Sequence, residues 1–120
     1  MRGLVYKRVS TDEQAIEGFS LAAQEEMCRE RALADGCTTI EVFCDDGYSA
    51  ATMERPALQQ LLSTMRKGDT IYVYRLDRLS RDVEHMAVIL KLCQARGVKI
   101  VPLIGSADVS TSLGRAFTNM

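Results

Sequence analysis

Gly3-Leu4-Val5-Tyr6-Lys7-Arg8-Val9 is the stretch from which the fold is read: an apolar, β-branched and aromatic run of strand length that opens into the polar loop Ser10-Thr11-Asp12-Glu13-Gln14. Three further runs share its character, Thr39 to Phe43, Thr70 to Tyr74 and Val98 to Ile104. Helical patterns separate them. Ser20 predicts the N-cap of a helix reaching about Asp35, with Glu25 and Glu26 early in it and Gly36 at its end. Pro56 suits the first turn of a second helix, whose Ala57, Leu58, Leu61, Leu62 and Met65 share one face before Gly68 stops it. A third is expected from Asp82 to Arg96, apolar over more than one stripe and therefore buried on several sides, with Gly97 ending it. Short strands alternating with helices predict an α/β fold of three layers: a mostly parallel central sheet with right-handed crossovers and helices on both faces. In such sheets function gathers in the loops after the strands' C-terminal ends. Here these are Arg8 to Gln14, Asp45 to Arg55 and Arg75 to Asp82.

The 120 residues, 47% hydrophobic and 26% charged, fit one domain with a core of its own. No apolar run approaches the roughly 20 residues that span a bilayer, and the N-terminus lacks the pattern of a signal peptide, so a cytoplasmic protein with no membrane partner is expected. Cys28, Cys37, Cys44 and Cys93 form no CxxC pair and His85 is the single histidine, which leaves neither zinc-ligand spacing nor a redox pair. The thiols are expected to be reduced and partly buried. A formal charge of -1 argues against a free-standing protein that coats DNA without specificity. Eleven of the 15 cationic residues are nonetheless arginines, whose planar fork matches pairs of phosphate oxygens. From Ser110 a last helix opens with Leu113, Ala116 and Phe117 and has no stop signal before Met120, so the chain reads as a piece of a longer protein.

The chemistry is sought in the loops. A serine at a strand end is most often a turn former, so Ser10 by itself carries little. In Tyr74-Arg75-Leu76-Asp77-Arg78-Leu79-Ser80-Arg81-Asp82, however, Arg78 and Arg81 stand three apart, and a helix begun by then would present both on one face near its N-terminus. Cations oppose the helix dipole there, a conflict that a bound phosphate would resolve. Arg55, immediately before Pro56, and Arg8 bring to four the arginines expected at one edge of the sheet.

Taken together, Tyr6-x-Arg8-Val9-Ser10-Thr11, Gln24 after Ser20-Leu21, Arg55-Pro56 and Leu76-Asp77-Arg78-Leu79-Ser80-Arg81 resemble the signature of the serine site-specific recombinases, the resolvase and invertase superfamily, in order and spacing. The Gly18 to Gln24 segment is most similar to the large members, the phage integrases and related transposases. The resemblance implies a resolvase-like catalytic domain over residues 1–120, cut near the start of a long C-terminal interface helix. It implies that Ser10 attacks a DNA phosphodiester to leave a 5′-phosphoserine, that Arg8, Arg78 and Arg81 stabilise the transition state, and that Asp77 orients an arginine. Arg55, Gln24 and Gln14 become phosphate contacts. The partners implied are double-stranded DNA and further copies of the chain, a dimer and then a synaptic tetramer. No cofactor, metal or ATP is called for, since the phosphoserine conserves the energy of the cleaved bond, and the sequence has neither GxxxxGK nor GxGxxG. Two other readings compete: an α/β ligand- or metal-binding module in which Asp45 and Asp46 hold Mg²⁺, and a catalytically inert assembly module, against which the intact Ser10, Arg8, Arg78 and Arg81 speak.

Overall fold

The computed structural model describes residues 1–9, 20–47 and 54–104. In chain order these form β1 (Arg2–Val9), α1 (Leu21–Ala34), β2 (Thr39–Asp46), α2 (Pro56–Thr64), β3 (Thr70–Val73), the single turn α3 (Leu76–Leu79), α4 (Val83–Arg96) and β4 (Lys99–Pro102). The strands make one sheet in the order β2-β1-β3-β4, every neighbouring pair parallel. The chain thus steps outward from β1 to β2 and then returns to the other side of β1. The reversal leaves a crevice above the C-terminal ends of β1 and β3, the usual place for a site in an open α/β sheet.

Alternation along β1 divides the core in two. Leu4 and Tyr6 face the side packed by Leu58, Leu61 and Leu62 of α2 and Met86, Ile89, Leu90 and Cys93 of α4. Val5 faces the other side, where Cys28 and Ala32 of α1 meet Cys37 and Tyr72. Gly3 permits this second contact, because a Cβ there would lie 3.1 Å from Cys37 Sγ, 3.3 Å from Tyr72 and 3.4 Å from Ala32. The expected caps are present: the Ser20 side chain accepts from Ala23 N and the Asp82 side chain from His85 N. Gly97 closes α4 at φ 70°, in the left-handed region that glycine enters without penalty.

Three expectations need correction. The last helix buries one stripe, Met86, Ile89, Leu90 and Cys93, and leaves Val83 and Val88 exposed, so it lies on the sheet as a surface helix. The strand at Thr39 continues past Phe43 to Asp46, because β1 pairs with it along its whole length, Val9 opposite Asp46. Finally, Arg78 and Arg81 do not share a helix: Arg78 belongs to the turn Leu76–Leu79, and Arg81 lies in the break before Asp82 caps the next helix. Among the described residues no helix is long and apolar enough to cross a membrane. The expected C-terminal helix start lies outside the described residues.

Candidate active site

Three arginines are buried together where β1 and β3 end: Arg8 at 1% exposure, Arg55 at 0% and Arg78 at 8%. Such burial of permanent cations demands partners, and the backbone supplies them. A one-turn helix leaves its last carbonyls without intrahelical donors. Arg8 Nε donates to the Arg78 carbonyl at 2.9 Å and Arg8 Nη2 to that of Asp77 at 3.2 Å. Arg55 Nη1 donates to the same Arg78 carbonyl at 3.1 Å, while its Nη2 donates to that of Leu79. The two side chains therefore cap α3 from outside and tie the 77–79 segment to β1 and to the start of α2.

A second layer holds the arginines. Gln24, fully buried on α1, grips the backbone of Arg8 from both sides: its Oε1 accepts from Arg8 N at 3.3 Å and its Nε2 donates to Arg8 O at 3.2 Å. Tyr6, two residues before Arg8 on the same strand face, accepts from Arg55 Nη1 at 3.2 Å and donates to Asp45 Oδ2 at 2.8 Å. The Arg55 guanidinium also lies 5.7 Å from the centre of the Tyr6 ring. Asp45 completes the hub. Its Oδ1 accepts from Ala57 N at 2.9 Å and its Oδ2 from Leu58 N at 3.0 Å, which caps α2 across space because Arg55, at the N-cap position, makes no side-chain cap bond.

These contacts alter three readings. Asp45 and Asp46 cannot act as a pair on one cation: neighbours on a strand point to opposite faces, and Asp45 is buried in the α2 cap while Asp46 is exposed. Arg55 and Gln24, expected as phosphate contacts, are turned toward protein groups. Asp77, expected to orient an arginine, has its carboxylate 4.0 Å from Arg78 Nε. Arg81 is exposed on the rim. Ser10 and Gln14 lie outside the described residues. Tyr6 and the capping role of Asp45 escaped the sequence reading; the signal for Tyr6 is its i, i+2 relation to Arg8 on one strand face.

Electrostatics reinforce the geometry. Burial, above all, lowers the pKa of Arg8, Arg55 and Arg78, and at Arg78 the nearby Arg8 and Arg81 lower it further. Burial also pushes the Tyr6 hydroxyl well above its ordinary value, so it remains a neutral link between Arg55 and Asp45. Cations held against one another favour the arrival of an anion. His85, part-exposed on α4 with Nδ1 4.0 Å from Asp82, belongs to the cap of that helix.

The family model "Resolvase, N terminal domain" matches residues 3–120. The chain belongs to this family. Among curated resolvase-family relatives, a DNA-invertase of Escherichia phage P1 is 37% identical over 112 residues, covering 93% of this chain and 54% of that protein. A putative DNA recombinase of Bacillus subtilis (strain 168) is 35% identical over 99 residues, 81% of this chain and 19% of that protein. Among solved structures, the N-terminal catalytic domain of TP901-1 integrase superposes with a TM-score of 0.80 at 32% identity, covering 99% of this chain and 90% of that one. The resolvase-like α/β architecture expected from the sequence is thus the one observed. The chain spans about half the length of the phage invertase.

Proposed function

We propose that the protein carrying this domain performs site-specific DNA recombination, with Ser10 as nucleophile. The Ser10 hydroxyl oxygen bonds to phosphorus, the bond from phosphorus to the 3′ oxygen breaks, and a 5′-phosphoserine and a free 3′-hydroxyl result; attack by a 3′-hydroxyl on that phosphoserine reverses the step. The observation that carries the reading is the cluster of buried, mutually repelling arginines at the C-terminal ends of β1 and β3, in a chain of the resolvase family. Transfer of a phosphoryl group rests on positioning and charge stabilisation. Arg8, Arg78 and Arg81 meet the nonbridging oxygens, and Asp77 orients Arg78. Gln14 is assigned to the phosphate as well. Arg55 and Gln24 hold the arginines that do so, a role supported by their bonds to the Arg78 carbonyl and the Arg8 backbone. The substrate is duplex DNA, and the working form is a dimer that pairs into a synaptic tetramer. The two lengths of relative, of which the chain covers 54% and 19%, accommodate either a short invertase-like or a long integrase-like parent; the Gly18 to Gln24 segment favours the long form.

The test is made on the full-length protein with DNA bearing its element ends, in EDTA, denatured after incubation and examined for a protein–DNA adduct. An adduct in wild type that is lost in Ser10→Ala is the expected result. An adduct that survives the substitution, or cleavage that requires metal and leaves none, overturns the assignment.

A further inference from the structure

At the opposite pole of the sheet, where the strands begin, two glycine turns lie side by side. Gly68 N donates to Gly97 O at 3.0 Å, and Lys99 N to Asp69 O at 3.1 Å, which laces the end of α2 to the end of α4. Between them opens a concavity of about 590 Å³ lined by Arg66, Lys67, Gln94, Ala95, Arg96 and Gly97. Arg66, Lys67 and Arg96 are exposed, Arg96 with its Nη1 donating to Leu62 O, and Lys99, also exposed, adds a fourth cation two residues beyond Gly97. Glycine at 97 lets the Lys67 stem lie against the backbone, since a Cβ there would stand 3.1 Å from Lys67 Cγ. Asp69, two residues beyond Lys67, is taken: Arg2 binds its carboxylate through Nε and Nη2, and Arg66 N donates to Oδ2 at 2.7 Å. Among the described residues no carboxylate lines the concavity.

We infer that this basic concavity is a second contact for the phosphate backbone of duplex DNA, separate from the active site and blind to sequence. Three cations around the ends of two neighbouring helices, with Lys99 at the start of β4, stand out in a chain whose formal charge is -1. The lining favours a phosphate backbone over an acidic protein: among the described residues it holds no aromatic side chain of the kind that anchors protein interfaces, whereas arginine, lysine and an amide suit phosphate oxygens. The two sites lie at opposite ends of the strands, so the inferred contact is separate from the active site. The inference rests on the recombinase reading.

The experiment titrates the chain with a labelled nonspecific duplex of about 30 base pairs at several salt concentrations. Wild type is compared with the double variant Arg66→Gln/Lys67→Gln and with Arg29→Gln/Arg31→Gln, which removes the same charge from α1. Removing two phosphate contacts lowers the log–log salt slope by about 1.8. The ratio of wild-type to variant affinity then widens about twelvefold as salt falls from about 200 to about 50 mM, while the α1 variant changes far less. Glutamine keeps the stem that packs on Gly97, and matched thermal unfolding verifies the fold. Equal loss in both double variants, no loss in the first, or no binding by wild type overturns the inference. Stronger competition by polyglutamate than by duplex at equal charge replaces it with an acidic protein partner. The serine adduct of the full-length protein separates the two readings: an adduct unaffected by Arg66→Gln/Lys67→Gln leaves the recombinase standing whichever way the titration falls, and its absence in wild type removes that foundation.

Discussion

Asp45→Asn keeps the shape of the side chain while removing an acceptor and a charge, which makes it a direct probe of the hub. Asp45 accepts from Ala57 N, Leu58 N and the Tyr6 hydroxyl. An asparagine offers one oxygen and one NH2 group. With the NH2 at either position, one backbone N–H of α2 faces a donor. Only the tyrosine can adapt, by turning its hydroxyl to accept. A buried donor left without an acceptor costs about 1–3 kcal/mol, and loss of negative charge at a helix N-terminus adds about 0.3–1 kcal/mol. The total of about 1.3–4 kcal/mol corresponds to a fall in Tm of about 5–16 °C for a domain of this size. Thermal and urea unfolding of the 120-residue chain measure it, with Asp46→Asn at the exposed neighbouring position as control and expected within about 0.5 kcal/mol. A fall below about 2 °C in Asp45→Asn, or an equal fall in Asp46→Asn, refutes the argument that Asp45 caps α2 across space.

Gly3→Ala places a methyl against Cys37, Tyr72 and Ala32 and is expected to destabilise by about 1–3 kcal/mol, seen as a lower urea midpoint with unchanged slope. Arg55→Lys retains the charge yet cannot reach the Tyr6 hydroxyl and two carbonyls together, so in the full-length protein adduct formation is expected to fall at least tenfold, roughly the equivalent of 1.4 kcal/mol; wild-type rates would remove Arg55 from the positioning role. Asp69 resists the upward push of burial because Arg2 and the Arg66 amide hold its carboxyl below the ordinary value. A lowered folded pKa contributes stability that is present above the unfolded value of about 3.9 and is lost as pH falls through the folded one, so Asp69→Asn is expected to flatten the acid limb of the stability profile. Among the thiols, burial pushes Cys28 up to about 12 and Cys93 up to about 11, and Cys44 alone is exposed; a disulfide reagent at pH 8 is expected to titrate Cys44 quickly in the native chain and the others only on unfolding.

The sequence by itself determined the architecture. Strand runs at Gly3, Thr39, Thr70 and Val98 alternate with helices bounded by Ser20, Pro56 and Gly97, and these are local signals: a cap oxygen, a missing N–H, a positive φ. It also determined which loops matter, since parallel crossovers place Arg8, Arg55 and Arg78 at one sheet edge whatever the detailed packing. What only the tertiary structure decided is that all three are buried there, with Arg8 and Arg55 braced against backbone carbonyls. Arg55 was expected at a phosphate and is found beneath α3, because the carbonyls of Arg78 and Leu79 need donors that no neighbour in sequence supplies. Asp45, twelve residues from Ala57, looked like half of an acidic pair until strand pairing set it opposite Arg8, at the mouth of α2. The helix start at Asp82 was legible, but the separate turn Leu76–Leu79 before it was not, for it is held by the packing of α3 under Arg8. Periodicity and caps act over a few residues and can be read along the chain; the partner of a buried charge is chosen by the fold.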